Sequence, residues 1–139
     1  MPIQQSDVLY TAVATAENGR DGRVATDDGK LDVVVNPPKE LGGSGAGTNP
    51  EQLFAAAYSA CFQGALAVVA RKEGADVTGS TVTAKVGFGK NADGFGIIVE
   101  ISANIPNADP DTARGLVEKA HQVCPYSNAT RGNITVTLA

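Results

Sequence analysis

The chain has 139 residues, a length that suits one domain built around one main core. Its 11 Lys and Arg against 15 Asp and Glu give a net charge of -4, and 42% of its residues are hydrophobic, so it has neither the basic footprint of a nucleic-acid binder nor the make-up of a disordered acidic segment. The opening MPIQQSDVLY has no basic stretch followed by an apolar run, so no secretory signal is read there and the expected compartment is the cytoplasm, where paired cysteines are more often catalytic, redox-active or buried than permanent staples.

In chain order, DVLYTAVATA (7–16) is rich in β-branched and small apolar residues and predicts a first strand. GRVAT and LDVVV predict two more, with Asp28-Gly29 as the hairpin turn between them. PPKELGGSGAG (37–47) reads as a mobile Pro- and Gly-rich connector, since it lacks the Lys-Ser/Thr pair of a phosphate loop. A helix then starts explicitly: Asn49 is placed to cap, Pro50 suits the first helical position, and Gln52 sits where a capping-box partner belongs. From Leu53 to Ala70 this helix is apolar almost all round, which predicts burial on more than one face, partly against a second subunit. Its alanines, Gly64, Ser59 and Gln63 make it too weakly hydrophobic for a membrane span.

STVTAKVGFG and FGIIVEISANI alternate with period two (Val82, Ala84, Val86, Phe88; Ile97, Val99, Ile101, Ala103, Ile105), joined by the turn KNADG. An amphipathic helix, DPDTARGLVEKAHQVC, follows with Ala113, Leu116, Val117, Ala120 and Val123 on one face, and ITVTL predicts the last strand. The order β-β-β-α-β-β-α-β is a mixed α+β layout in one domain, 1–139.

Cys124 lies four residues after Ala120 and seven after Val117, so it belongs to the apolar face of the second helix, and Pro125 ends that helix behind it. A helix C-terminus disfavours a thiolate there, and Cys61, in the middle of the first helix, is expected to have a raised pKa unless a cation reaches it. On these facts alone each cysteine is equally a small buried hydrophobe or a reactive thiol. Two cysteines and the single His121 leave no four-ligand metal set; His121 itself reads as a polar residue in a last helical turn, and Arg23 as a solvated strand residue.

The surroundings of the two cysteines are more informative. GTNPEQLFAAAYSACF (47–62) and HQVCPYSNATRGNI (121–134), together with YTAVATA, GRDG (19–22), DDGKLDV (27–33) and ELGGSG (40–45), resemble the Ohr, or organic hydroperoxide resistance, branch of the OsmC/Ohr family over nearly the whole chain. One departure is Asn18, at a position before GRDG where the family usually has glycine; asparagine tolerates such a turn. The resemblance implies an intertwined homodimer that reduces alkyl and lipid hydroperoxides to alcohols without a bound cofactor or metal. It places the attacking (peroxidatic) cysteine on Cys61, the resolving one on Cys124, the thiolate-activating arginine on Arg20 and the carboxylate that orients it on Glu51. The implied reductant is an external dithiol of the lipoyl type, for example a lipoylated protein; neither nucleic acid nor membrane is an expected partner.

Chemistry agrees with that assignment, since the thiolate is the nucleophile and Arg20 carries a charge that persists at any physiological pH. Phe54, Tyr58, Phe62, Phe88, Phe95 and Tyr126 are the aromatic candidates for an apolar wall around the thiols. Three alternatives stay open on sequence: an OsmC-like peroxidase with a broader peroxide range, a thiol redox sensor, and a small-molecule binding protein that keeps the pocket but has no use for Arg20 and Glu51.

Overall fold

The computed structural model describes residues 2–139. The chain forms two compact units, one ending at Pro50 and the other Glu51–Ala139. The first is an antiparallel meander of β1 (Ala14–Glu17), β2 (Gly22–Thr26) and β3 (Asp32–Val35), each strand paired with the next. At the β1–β2 turn both Asn18 and Gly19 have left-handed backbones (φ 59° and 58°), so asparagine occupies the turn position it tolerates. Asp28-Gly29 makes the second turn, with Gly29 at φ 72° and its N–H donating to the Thr26 carbonyl.

Three expectations for this unit change. The first strand is short: its last ladder bond runs from Asp27 N–H to the Val13 carbonyl, beyond which β2 offers no partner, so residues 7–13 are not strand. That leaves Leu9 100% and Tyr10 80% exposed in the single chain. The Gly-rich loop, read as a mobile connector, is folded back on itself: Gly43 and Gly45 donate to the carbonyls of Pro38 and Pro37, and a Cβ on Gly43 would sit 2.1 Å from the Pro37 oxygen. Arg23 is not simply solvated. Its guanidinium makes a two-point contact with Asp32 across β2–β3 at 2.7 and 2.6 Å, which raises the arginine pKa and lowers that of the carboxyl.

The second unit holds the core. Helix α1 (Pro50–Glu73) starts at Pro50, as its sequence predicts, and runs unbroken for 24 residues. Strands β4 (Thr81–Asn91) and β5 (Gly94–Asn104) form a long hairpin with Ala92-Asp93 at its tip, and β6 (Val136–Leu138) joins β5 in parallel. Helix α2 (Pro110–Val123) follows the hairpin. The period-two pattern works as read: Val99 and Ile101 are buried, Val82, Ala84 and Val86 are half-buried, and Thr81, Thr83 and Lys85 between them face solvent.

Only one stripe of α1 is buried within a single chain: Tyr58, Phe62, Ala65, Leu66, Val69 and Ala70. All but Ala70 pack with Val99, Ile101, Leu116, Val117 and Ala120 in one core cluster. Spacings of three and four explain the stripe, and emptying one of its large positions, as in Phe62→Ala, would cost about 3–5 kcal/mol. The expected burial on a second face is not found within the chain, where Ala56, Ala60, Gly64 and Val68 form an exposed row at intervals of four. On α2 the apolar face is as read except at Val123, which is 46% exposed because it lies at the end of the helix beyond the core.

Asp109 caps α2. Its carboxylate accepts from the Thr112 N–H at 2.9 Å and from the Thr112 hydroxyl at 2.8 Å. The backbone bond first, then the hydroxyl, hold its carboxyl below the usual carboxylate range. A depressed folded-state pKa gives stability that is present in full above the unfolded value near pH 4 and is lost as pH falls through the folded value. Asp109→Ala is therefore expected to lower Tm at neutral pH, by a difference that shrinks in a series of melts taken below about pH 4. A difference unchanged down that series would show that the carboxylate is not what caps the helix.

Candidate functional site

The second unit brings the two cysteines together on its own. Cys61 is half-buried at the edge of the α1 stripe, next to Phe62; Cys124 is fully buried behind α2, and both are free thiols. Their sulfurs are 3.6 Å apart, with the Cys124 S–H donating to Cys61. A disulfide bond is about 2.05 Å long, so closure needs an approach of roughly 1.5 Å.

Cys124 occupies an elbow rather than a helix end. Its N–H closes α2 on the Ala120 carbonyl at 2.8 Å, and its own carbonyl accepts from Asn128 N–H at 2.9 Å, opening a further short helix, α3 (Pro125–Thr130). Pro125 ends one helix and starts another, because it lacks only the N–H that a first helical position does not use. The unfavourable α2 C-terminus is thus not the only helix end near this thiol. The first turn of α3 opens with backbone N–H groups that have no partner within the helix, and a backbone hydrogen bond from Tyr126 lowers the Cys61 thiol pKa.

At Cys61 three influences compete. Burial is the largest and pushes the thiol up; the Tyr126 N–H pulls it down, and the neighbouring Cys124 pushes it up again. The raised pKa expected for a thiol inside this helix is therefore found, and these neighbours alone leave it protonated near neutral pH.

Glu51 lies in the first turn of α1. It precedes Cys61 by ten positions on an unbroken helix, a separation of about 15 Å along the axis. Arg20 belongs to the first unit, in the β1–β2 turn. Both residues make interactions of their own.

The aromatic candidates separate into two groups. Phe54, Tyr58 and Tyr126 form a three-ring cluster, with centroids 5.8–6.2 Å apart, at the α1–α3 contact. Phe62 is core. Phe88 and Phe95 stack on each other at 5.1 Å on the β4–β5 hairpin, with Phe95 65% exposed.

Sequence reasoning missed a hydrogen-bonded polar chain. The Tyr58 and Ser127 hydroxyls are 2.8 Å apart, His121 Nδ1 is 2.8 Å from the Ser127 hydroxyl, and Thr130 Oγ1 is 3.3 Å from the Tyr58 hydroxyl. Burial first, then the Arg131 charge, depress the His121 pKa, so the imidazole is neutral at pH 7. The usable signal was spacing: His121, Cys124 and Ser127 recur every three residues, and Tyr58 precedes Cys61 by three. Among the described residues no group of three or more His, Cys, Asp or Glu gathers as a metal site.

Known proteins resemble this chain in sequence and in fold. The profile of a family described as OsmC-like protein matches residues 42–139. An organic hydroperoxide resistance protein of Xanthomonas axonopodis pv. citri (strain 306) is 54% identical over 133 residues, spanning 94% of each chain. The organic hydroperoxide resistance protein OhrB of Bacillus subtilis (strain 168) is 44% identical over 132 residues, spanning 94% of this chain and 96% of that one. The crystal structure of an organic hydroperoxide resistance protein from Elizabethkingia anophelis superposes with a TM-score of 0.89 at 54% identity, covering 95% of this chain and 96% of that one.

Proposed function

The chain belongs to the Ohr branch of the OsmC/Ohr family, and from that membership we propose that it is a cysteine-based peroxidase that reduces organic hydroperoxides to alcohols. The observation that carries this reading is the pair of free thiols 3.6 Å apart in an apolar setting. Cys61 is the attacking residue because it is the more accessible of the two, and the Tyr126 N–H favours its thiolate. The thiolate takes the peroxide oxygen farther from the organic group, the O–O bond breaks, and the alkoxide leaves and is protonated to the alcohol. Cys61 is then a sulfenic acid. The Cys124 sulfur displaces its hydroxyl as water to form a disulfide, and an external dithiol of the lipoyl type, such as a lipoylated protein, reduces that bond to two thiols.

Burial alone keeps Cys61 protonated, so the reaction needs a cation, and Arg20 fills that role with Glu51 orienting its planar fork. The separation of about 15 Å between Glu51 and Cys61 along one helix is too great for a single guanidinium to touch both. Two active sites shared across a homodimer remove the difficulty. The exposed row Ala56, Ala60, Gly64, Val68 supports that assembly, since small residues at intervals of four let a second helix approach closely. Beside the thiols, the rings of Phe54 and Tyr126 favour a hydrocarbon tail, each buried CH₂ contributing about 0.8 kcal/mol. The protein works in the cytoplasm, without bound cofactor and apart from nucleic acid and membranes.

Turnover with a dihydrolipoyl reductant is expected to be much faster for an alkyl hydroperoxide than for hydrogen peroxide. Equal rates would favour the broader OsmC-like activity, a single oxidation without turnover a sensor, and no thiol loss a binding protein. A mixed dimer tests the shared site. Inactive Cys61→Ser chains refolded with Glu51→Ala chains should regain activity, because one of the two sites then has both groups intact. No recovery, with mixed dimers confirmed by mass, would put Glu51 and Cys61 of one chain in the same site.

A further inference from the structure

The buried polar chain beside the thiols has no part in the chemistry so far. Tyr58 and Ser127 are fully buried, yet a phenylalanine and an alanine would fill the same space without hydroxyls to satisfy. Replacing both partners of a buried hydrogen bond by apolar groups is close to neutral for stability, so stability alone does not account for them. Every buried polar side-chain atom among the described residues is nevertheless paired.

The bonds converge on Ser127. Its hydroxyl meets Tyr58 from α1 and His121 from α2, both at 2.8 Å, while Ser127 itself belongs to α3. Two proton orders suit it: Tyr58 donates to Ser127, which donates to a neutral His121, or the reverse with Nδ1–H as donor and Tyr58 turning to Thr130. Thr130 donates onward to the Tyr126 and Ser127 carbonyls at 2.9 and 3.1 Å. Arg131 reaches back to the His121 carbonyl at 2.6 Å and to Asn128 at 2.8 Å. The elbow that carries both Cys124 and the Tyr126 N–H is thereby tied to the helix that carries Cys61, and the ties lie one turn from each cysteine.

Resting on the peroxidase reading above, we propose that Ser127 is a positioning residue for disulfide closure: joined to Tyr58 and His121, it holds the α2–α3 elbow so that the Cys124 sulfur faces Cys61. Peroxide attack at Cys61 needs no movement of Cys124. Closure does, because the Cys124 sulfur must advance by roughly 1.5 Å in line with the S–O bond that breaks, as the S–S bond forms and the hydroxyl leaves with the thiol proton as water. Loosening the elbow therefore slows the second step far more than the first, which depends on the elbow only through the Tyr126 N–H.

The test is a single-turnover experiment on the reduced protein with tert-butyl hydroperoxide, following peroxide loss and disulfide formation separately and trapping sulfenic acid with a cyclic dione. Ser127→Ala is expected to consume peroxide within about twofold of the parent and to close the disulfide about tenfold or more slowly, so that Cys61 sulfenic acid accumulates. Tyr58→Phe keeps the ring packing and should show the same split to a smaller degree; it decides the matter if Ser127→Ala does not fold. Closure at the parental rate, or equal slowing of both steps as a loss of folded protein would give, overturns the inference. A parent that neither consumes the hydroperoxide nor loses thiols would overturn the peroxidase reading instead.

Discussion

A thiol attacks as its anion, and burial opposes the anion; the second unit is arranged around that opposition. Cys61 sits at the margin of a stripe whose other members, Tyr58, Phe62 and Leu66, are fully enclosed. An apolar surround favours an organic substrate and raises the thiol pKa at once. What offsets the second effect has to be polar and fixed in place. One such group, the Tyr126 N–H, is supplied by the restart of the helix after Pro125. The other, in our reading, is the Arg20 guanidinium.

The elbow at Cys124 joins the backbone to this chemistry. A helix running straight on past Val123 would have carried Cys124 and Tyr126 along one axis. Pro125 breaks it, and the new turn presents a backbone donor and a thiol to the same sulfur. Buried hydroxyls of Tyr58, Ser127 and Thr130 then hold the break in one geometry, which an apolar contact of equal strength would not do, because hydrogen bonds are directional and packing is not.

Much of this was legible in the sequence. Period-two alternation in 81–105 located the hairpin and its inner face, helical spacing put Cys124 on the buried side of α2, and Pro50 marked where α1 starts. What was not legible has physical causes. Residues 7–13 have strand composition, but a strand also needs an edge to pair with, and β2 is too short to supply one. The row Ala56, Ala60, Gly64, Val68 is apolar without being buried in the chain, since composition does not say which molecule covers a face. Arg23 is paired because the β2–β3 register brings Asp32 within reach, and register is a tertiary fact. Glu51, Arg20 and the two cysteines were assigned from motif resemblance; of these, the second unit alone accounts for the proximity of Cys61 and Cys124. The Tyr58–Ser127–His121 chain joins residues 69 positions apart at its longest span; the spacing of three around each cysteine sets its members beside the thiols, but only the fold joins them to one another.

The central claim is that Cys61 is oxidised first and Cys124 only resolves. Peptide mass spectrometry of Cys124→Ser after one equivalent of an alkyl hydroperoxide tests it most directly. The account predicts one added oxygen, on Cys61, together with one equivalent of alcohol released. An unmodified Cys61 in that variant, with oxygen found instead on Cys124 of the Cys61→Ser protein, would contradict it.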